Sequence, residues 1–162
     1  MAKMRRLSTS MNNEMGNMET IADVDLPVGK PGENGIVADI QLVQLLLQHA
    51  IAMRGKHFPL LDSRGRPITQ IEVDGICGRA TREAISAFQR TRNKHFHHCV
   101  ADGVVSPTNG SFKSTDQGQV FTIALLNFER RLTEGADLNP DEVVIEPLRT
   151  ALLASVGDAQ FA

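Results

Sequence analysis

Positive charge crowds into one short stretch of this chain. Between Arg79 and His98 stand Arg79, Arg82, Arg90, Arg92 and Lys94 against a single acid, Glu83, a local charge of about +4. The planar fork of arginine pairs with a carboxylate through two hydrogen bonds, so this strip suits the carboxylates of a peptide ligand or of an acidic partner surface. A solvated helix face explains the same charges without a ligand. Residues 129 to 158 lean the other way, with seven acids and three arginines. The run His95-Phe96-His97-His98-Cys99 invites a zinc reading, because imidazole and thiolate are good zinc ligands. A fourth ligand would have to come from His57 or Cys77, and no paired-ligand spacing points to either, so a loop of solvated imidazoles is the plainer reading. No metal or cofactor is expected.

Hydrolytic chemistry finds no support in the motifs. The chain has no Gly-x-Ser-x-Gly and no His-Glu-x-x-His. Asp74 and Asp102 each precede a glycine and are explained as turn residues, so they are not paired as acid and base. The expectation is a protein that binds and does not catalyse.

The elements that must position the arginines are built around residues 73 to 90. Asp74-Gly75 marks a tight turn, Gly78 suits an N-cap, and Thr81, Ala84, Ile85 and Phe88 recur at helical spacing as an inward stripe. Upstream, residues 36 to 54 predict a helix, with Ile36, Ile40, Val43, Leu47 and Ala50 on one face and Gly55 as its stop. Residues 55 to 71 read as a long linker with a turn over Asp62 to Arg66. Downstream, Asp102-Gly103 echoes Asp74-Gly75 at an offset of 28, and a polar loop over 109–119 comes next. A helix is predicted from about Gln117 to Leu132. Asn139-Pro140-Asp141-Glu142 then looks like a capped helix start, and a last helix is predicted from about Pro147 to Val156.

Asp74, Gly75, Gly78, Thr81, Ala84, Ile85, Phe88 and Gln89 together fill the pattern Asp-Gly-x-x-Gly-x-x-Thr-x-x-Ala-Ile/Val-x-x-Phe-Gln. This resembles the signature of the small three-helix peptidoglycan-binding modules that accompany bacterial cell-wall hydrolases. Val43-Gln44-x-x-Leu47 resembles the first helix of that family, and Asp102-Gly103-Val104-Val105 its second turn, with Ser106 in place of a glycine. The resemblance covers roughly residues 36 to 130. It implies a three-helix bundle over 35–130 in an all-α fold. Outside it, the Met-, Ser- and Asn-rich residues 1–34, closed by Pro27, Gly29, Pro31 and Gly32, read as a mobile N-terminal arm, and residues 131–162 as an added C-terminal helical segment. It also implies a non-catalytic module that binds the cell wall; the charge of the strip and its place on the motif helix make Arg79, Arg82, Gln89 and Arg90 the candidate ligand-binding residues.

Composition narrows the setting. At 162 residues, 41% hydrophobic, the chain is long enough for one domain with a true core. A net charge of −2 and a pI near 6.2 argue against a general nucleic-acid binder. No apolar run reaches bilayer length, and the basic start lacks a hydrophobic stretch after it, so neither a membrane span nor a signal peptide is expected. Two cysteines, Cys77 and Cys99, are too few for a disulfide scaffold and read as small buried residues, pairing only in an oxidising compartment. Trp and Tyr are absent, which leaves sugar rings no broad aromatic platform and favours the peptide stem over the glycan. The expected compartment is the cytoplasm. Delivery to the wall would then go through a contractile injection machine, phage-tail-like or type VI, which moves cargo without a signal peptide. The alternative from a different class is a protein-interaction adaptor or chaperone that uses the scaffold without the wall ligand, with a secretion spike or effector as partner.

Overall fold

The computed structural model describes residues 1–7, 20–30, 35–94, 99–108, 119–135 and 138–161, with the side chains of 157–161 left out. The elements run β1 (Lys3–Arg6), β2 (Thr20–Asp23), α1 (Val37–Arg54), α2 (Arg79–Asn93), α3 (Thr122–Glu134), a short 3-10 turn (Pro140–Glu142) and α4 (Leu148–Phe161). The expected all-α bundle with a mobile N-terminal arm is therefore corrected. Four helices pack with a two-stranded antiparallel sheet in which Lys3 faces Asp23 and Arg6 faces Thr20. The His95–His98 cluster, the polar loop over 109–118 and the Met11, Met15 and Met18 of the expected arm lie outside the described residues.

α1 is the centre of the molecule. Eleven of its residues are buried, among them Ala38, Ile40, Leu42, Val43, Leu46, Leu47 and Ile51, so apolar side chains surround the helix instead of lining one face. A helix apolar on most sides is stable only when covered on most sides. Here α2, α3, α4 and β2 supply the cover. α2 meets the reading of its inward stripe: Thr81, Ala84, Ile85 and Phe88 are all buried. α3 begins at Thr122, later than predicted from Gln117, and ends at Gly135 in the left-handed conformation. Asn139 does cap the short turn, its side chain accepting from the Asp141 N–H at 3.0 Å. α4 starts one residue after Pro147 and runs past the predicted end at Val156 to Phe161.

The N-terminal segment belongs to the core because its apolar residues are spent inward. Ala2, Met4 and Leu7 are buried, as are Ile21, Ala22, Val24 and Val28. β1 packs on α4, which in turn packs on α1. Asp23 is buried in β2 and held by the Thr108 hydroxyl at 2.7 Å, the Thr108 and Val24 N–H groups and the Arg5 guanidinium at 2.8 Å. Burial still outweighs these partners and pushes its carboxyl above the ordinary range.

Buried carboxamides tie the irregular segments to the helices. Asn127 of α3 accepts from the Ala22 N–H at 3.0 Å and donates to the Ala22 carbonyl at 2.8 Å, an amide acting as one more strand beside β2. Gln41 of α1 donates to the Glu146 carbonyl at 2.9 Å and accepts from the Leu148 N–H at 3.2 Å, fixing the start of α4. At the far end of α1, Arg54 grips Glu129 of α3 through two bonds of 2.6 and 2.8 Å, with its guanidinium 5.7 Å above the Phe88 ring of α2. Arg92 approaches the same carboxylate at 3.9 Å, so one acid joins three helices. Among the described residues no helix is long and apolar enough to cross a membrane.

Ile21→Ala tests the correction directly. Removing this fully buried side chain is expected to lower stability by about 2–5 kcal/mol in urea unfolding. An arm outside the core would leave the midpoint unchanged.

Candidate functional site

Two glutamines explain why the Asp-Gly motif recurs. Gln44 of α1 donates to the Asp74 carboxylate at 2.8 Å, the Ile76 carbonyl at 3.0 Å and the Thr81 hydroxyl at 3.0 Å, and accepts from the Gly75 N–H at 2.9 Å. Gln89 of α2 repeats this set one step later in the fold. Its amide donates to Asp102 at 3.2 Å, the Val104 carbonyl at 3.0 Å and the Thr122 hydroxyl at 3.0 Å, and accepts from the Gly103 N–H at 2.8 Å. Asp74 and Asp102 also accept from the N–H two residues on, at 2.9 and 3.0 Å. That is the Asx turn expected of Asp. Both glycines have positive φ, 76° and 74°, which lets the chain reverse under the amide. Each helix therefore grips the turn that feeds the next helix.

Between the two turns passes the N-terminal segment. Val28 forms an antiparallel bridge with Val105, through bonds of 2.9 and 2.8 Å. Gly29 comes next at φ 120°, so close that a Cβ there would run into the Gly103 carbonyl. Asp74 is held below the usual carboxylate range by the Ile76 N–H first and the Gln44 amide second. A carboxylate so engaged is a poor proton acceptor, in keeping with a turn role.

On the outward side of α2, Arg79, Arg82, Glu83, Ser86 and Arg90 share one stripe, and with Ser63 of the preceding loop they line an open pocket of about 280 Å³. Three guanidiniums face one carboxylate there. Arg79 reaches Glu83 at 3.2 Å across one helical turn. Arg82 donates to the Cys77 carbonyl at 3.0 Å, and Arg90 to the Leu61 carbonyl at 2.9 Å. A guanidinium carries five N–H donors, so one bond to a carbonyl orients the group and leaves donors for a ligand. The loop under Arg90 is itself shaped by Asp62, which accepts from the Arg64 and Arg66 N–H groups at 2.9 Å each.

Of the four candidate binding residues, the structure brings Arg79, Arg82 and Arg90 together and sets Gln89 apart. Gln89 is fully buried and its amide is committed to the second turn. The reason is geometric: a helix has room on its outer face for the arginines, while Gln89 lies on the inner one beside Phe88. Gln44 and Thr122 are the polar residues that motif reading passed over as parts of a site. The signal available was the repetition of an apolar residue followed by Gln, Val43-Gln44 and Phe88-Gln89, each with an Asp-Gly turn downstream.

Cys77 and Cys99 are free thiols, and burial pushes both above the ordinary thiol range. Among the described residues no group of three or more His, Cys, Asp or Glu side chains is placed to hold a metal ion. No family model, curated protein or solved structure matches the chain. The likeness to the peptidoglycan-binding modules rests on the motif residues alone.

Gln89→Leu is expected to cost about 1–3 kcal/mol, because it leaves the Gly103 N–H and neighbouring groups without a partner. Urea unfolding checks this. A surface ligand-binding residue would give an unchanged midpoint.

Proposed function

We propose that the chain is a non-catalytic binding module whose arginine-lined pocket takes a carboxylate-bearing peptide, the stem peptide of the bacterial cell wall. The observation that carries this reading is the cluster of Arg79, Arg82 and Arg90 at one open pocket, two of them oriented by backbone carbonyls. Orientation before binding reduces the ordering cost that long side chains otherwise bring to an interface. Glu83, on the same stripe, offers a counter-charge for an amino group, which a stem peptide also carries. The motif resemblance supports the same ligand class.

The adaptor reading draws on the absence of Trp and Tyr, which leaves a glycan nothing broad to stack on. An acidic segment of a protein partner would meet the same guanidiniums. Co-sedimentation with purified sacculi separates the two. The wild-type protein is expected to pellet with the wall, and Arg79→Glu/Arg82→Glu to weaken binding at least about tenfold, since hydrogen bonds to charged groups are worth about 1.5–3 kcal/mol each. Its circular dichroism should be unchanged, both side chains lying on the outer face. A wild-type protein that stays in the supernatant rejects the wall reading.

A further inference from the structure

Three residues of α1 that stay outside the core make a single track. Leu45, His49 and Ala52 succeed one another at i, i+4 and i+7, and Lys56, just past the Gly55 C-cap, continues the line. Two clefts open on that track. Near Leu45 and His49 lies one of about 310 Å³, walled by residues 143–145 that precede α4 and rimmed by Glu134, Glu142 and Arg130. Near Ala52 lies one of about 460 Å³, lined mainly by apolar groups of Ile51, Pro59, Pro67 and Ile68, with Lys56 at its edge.

Both ends are clefts, but they differ in lining and in charge. At the first end Val144 projects with 80% of its surface exposed, more than any other large apolar residue described, beside carboxylates of which Glu142 is 68% exposed. Arg130 meets Glu142 at 3.8 Å. The second end is hollow, apolar and cationic at Lys56. The midpoint of the track falls between His49 and Ala52, about 8 Å from either end at 1.5 Å per residue. At that midpoint the side chains are modest in size, and Ala52 permits close approach.

We propose that this track is the contact surface of a symmetric dimer. A second copy lies antiparallel across α1, so that each Val144 enters the apolar hollow of its partner and each Glu142 meets the partner's Lys56. In a parallel arrangement Lys56 would face Lys56 and Glu142 would face Glu142, so the charges favour the antiparallel one. A two-fold axis at the midpoint satisfies both ends at once, as an isologous interface requires. Burying a protruding valine in an apolar hollow supplies affinity, and the paired charges set the register. The proposal is independent of the arginine pocket on α2.

Sedimentation velocity of the full chain across a wide dilution series tests it. A reversible monomer–dimer equilibrium is expected. Ala52→Arg, at an exposed helix position, should raise the dissociation constant at least about tenfold while circular dichroism stays the same. Lys56→Glu and Glu142→Lys should each weaken the dimer about threefold to thirtyfold, since each change is felt twice in a symmetric contact, and the double variant should recover it. Arg79→Glu/Arg82→Glu should leave it untouched. A chain that remains monomeric throughout, or a dimer that Ala52→Arg leaves intact, overturns the proposal. Failure of the double variant to rescue overturns the antiparallel register.

Discussion

A carboxamide taken out of water must find partners for its two donors and its acceptor, because each one left bare costs more than the bond would have gained. This fold meets that demand by turning buried amides outward from helices onto the chain segments between them. Gln44 and Gln89 hold the two Asp-Gly turns, Gln41 holds the entry to α4, and Asn127 holds β2. Every one of these joins a helix to the backbone of a separate segment. The apolar core supplies the bulk of the stabilisation, but it is indifferent to the path of the loops. The amides are what fix that path.

The same arrangement places the arginine pocket. Because the Gln44 clamp sets where α2 begins and the Gln89 clamp sets the turn beyond its end, the inner face of α2 is fully committed. Its outer face is left to Arg79, Arg82 and Arg90. At the other end of the helix, Arg54 and Arg92 share Glu129 in a nearly buried group, a contact that pins α1, α2 and α3 together. Arginine thus plays two parts within a few turns of chain. Inside it is neutralised by an acid and stacked on Phe88, whereas outside it is oriented by carbonyls and left with donors to spare.

The helices were readable where a long period survives. Residues 36 to 54 were marked by their apolar repeat and by Gly55, and α1 spans Val37–Arg54. The N-terminal segment carries no such signal. β1 and β2 are four residues each, too short for a period-two pattern to stand out, and Ile21, Ala22, Asp23 and Val24 are buried on both sides, so no alternation exists to be seen. The arginine stripe could be found from spacing alone, since residues three, four and seven apart share a helix face. Gln89 could not be assigned, because its partners are made by folding: a glutamine beside a phenylalanine looks the same whether it points at a ligand or at Gly103, 14 residues on.

The amide hydrogens of Gly75 and Gly103 give the most direct test of the clamps, since each donates to a glutamine Oε1 and neither lies in a helix or strand. Native-state hydrogen exchange is expected to show both protected nearly as strongly as the core amides of α1, opening only with global unfolding. Exchange as fast as that of the exposed loop around Gly65 would contradict the account, and would leave the Asp-Gly turns as ordinary surface bends.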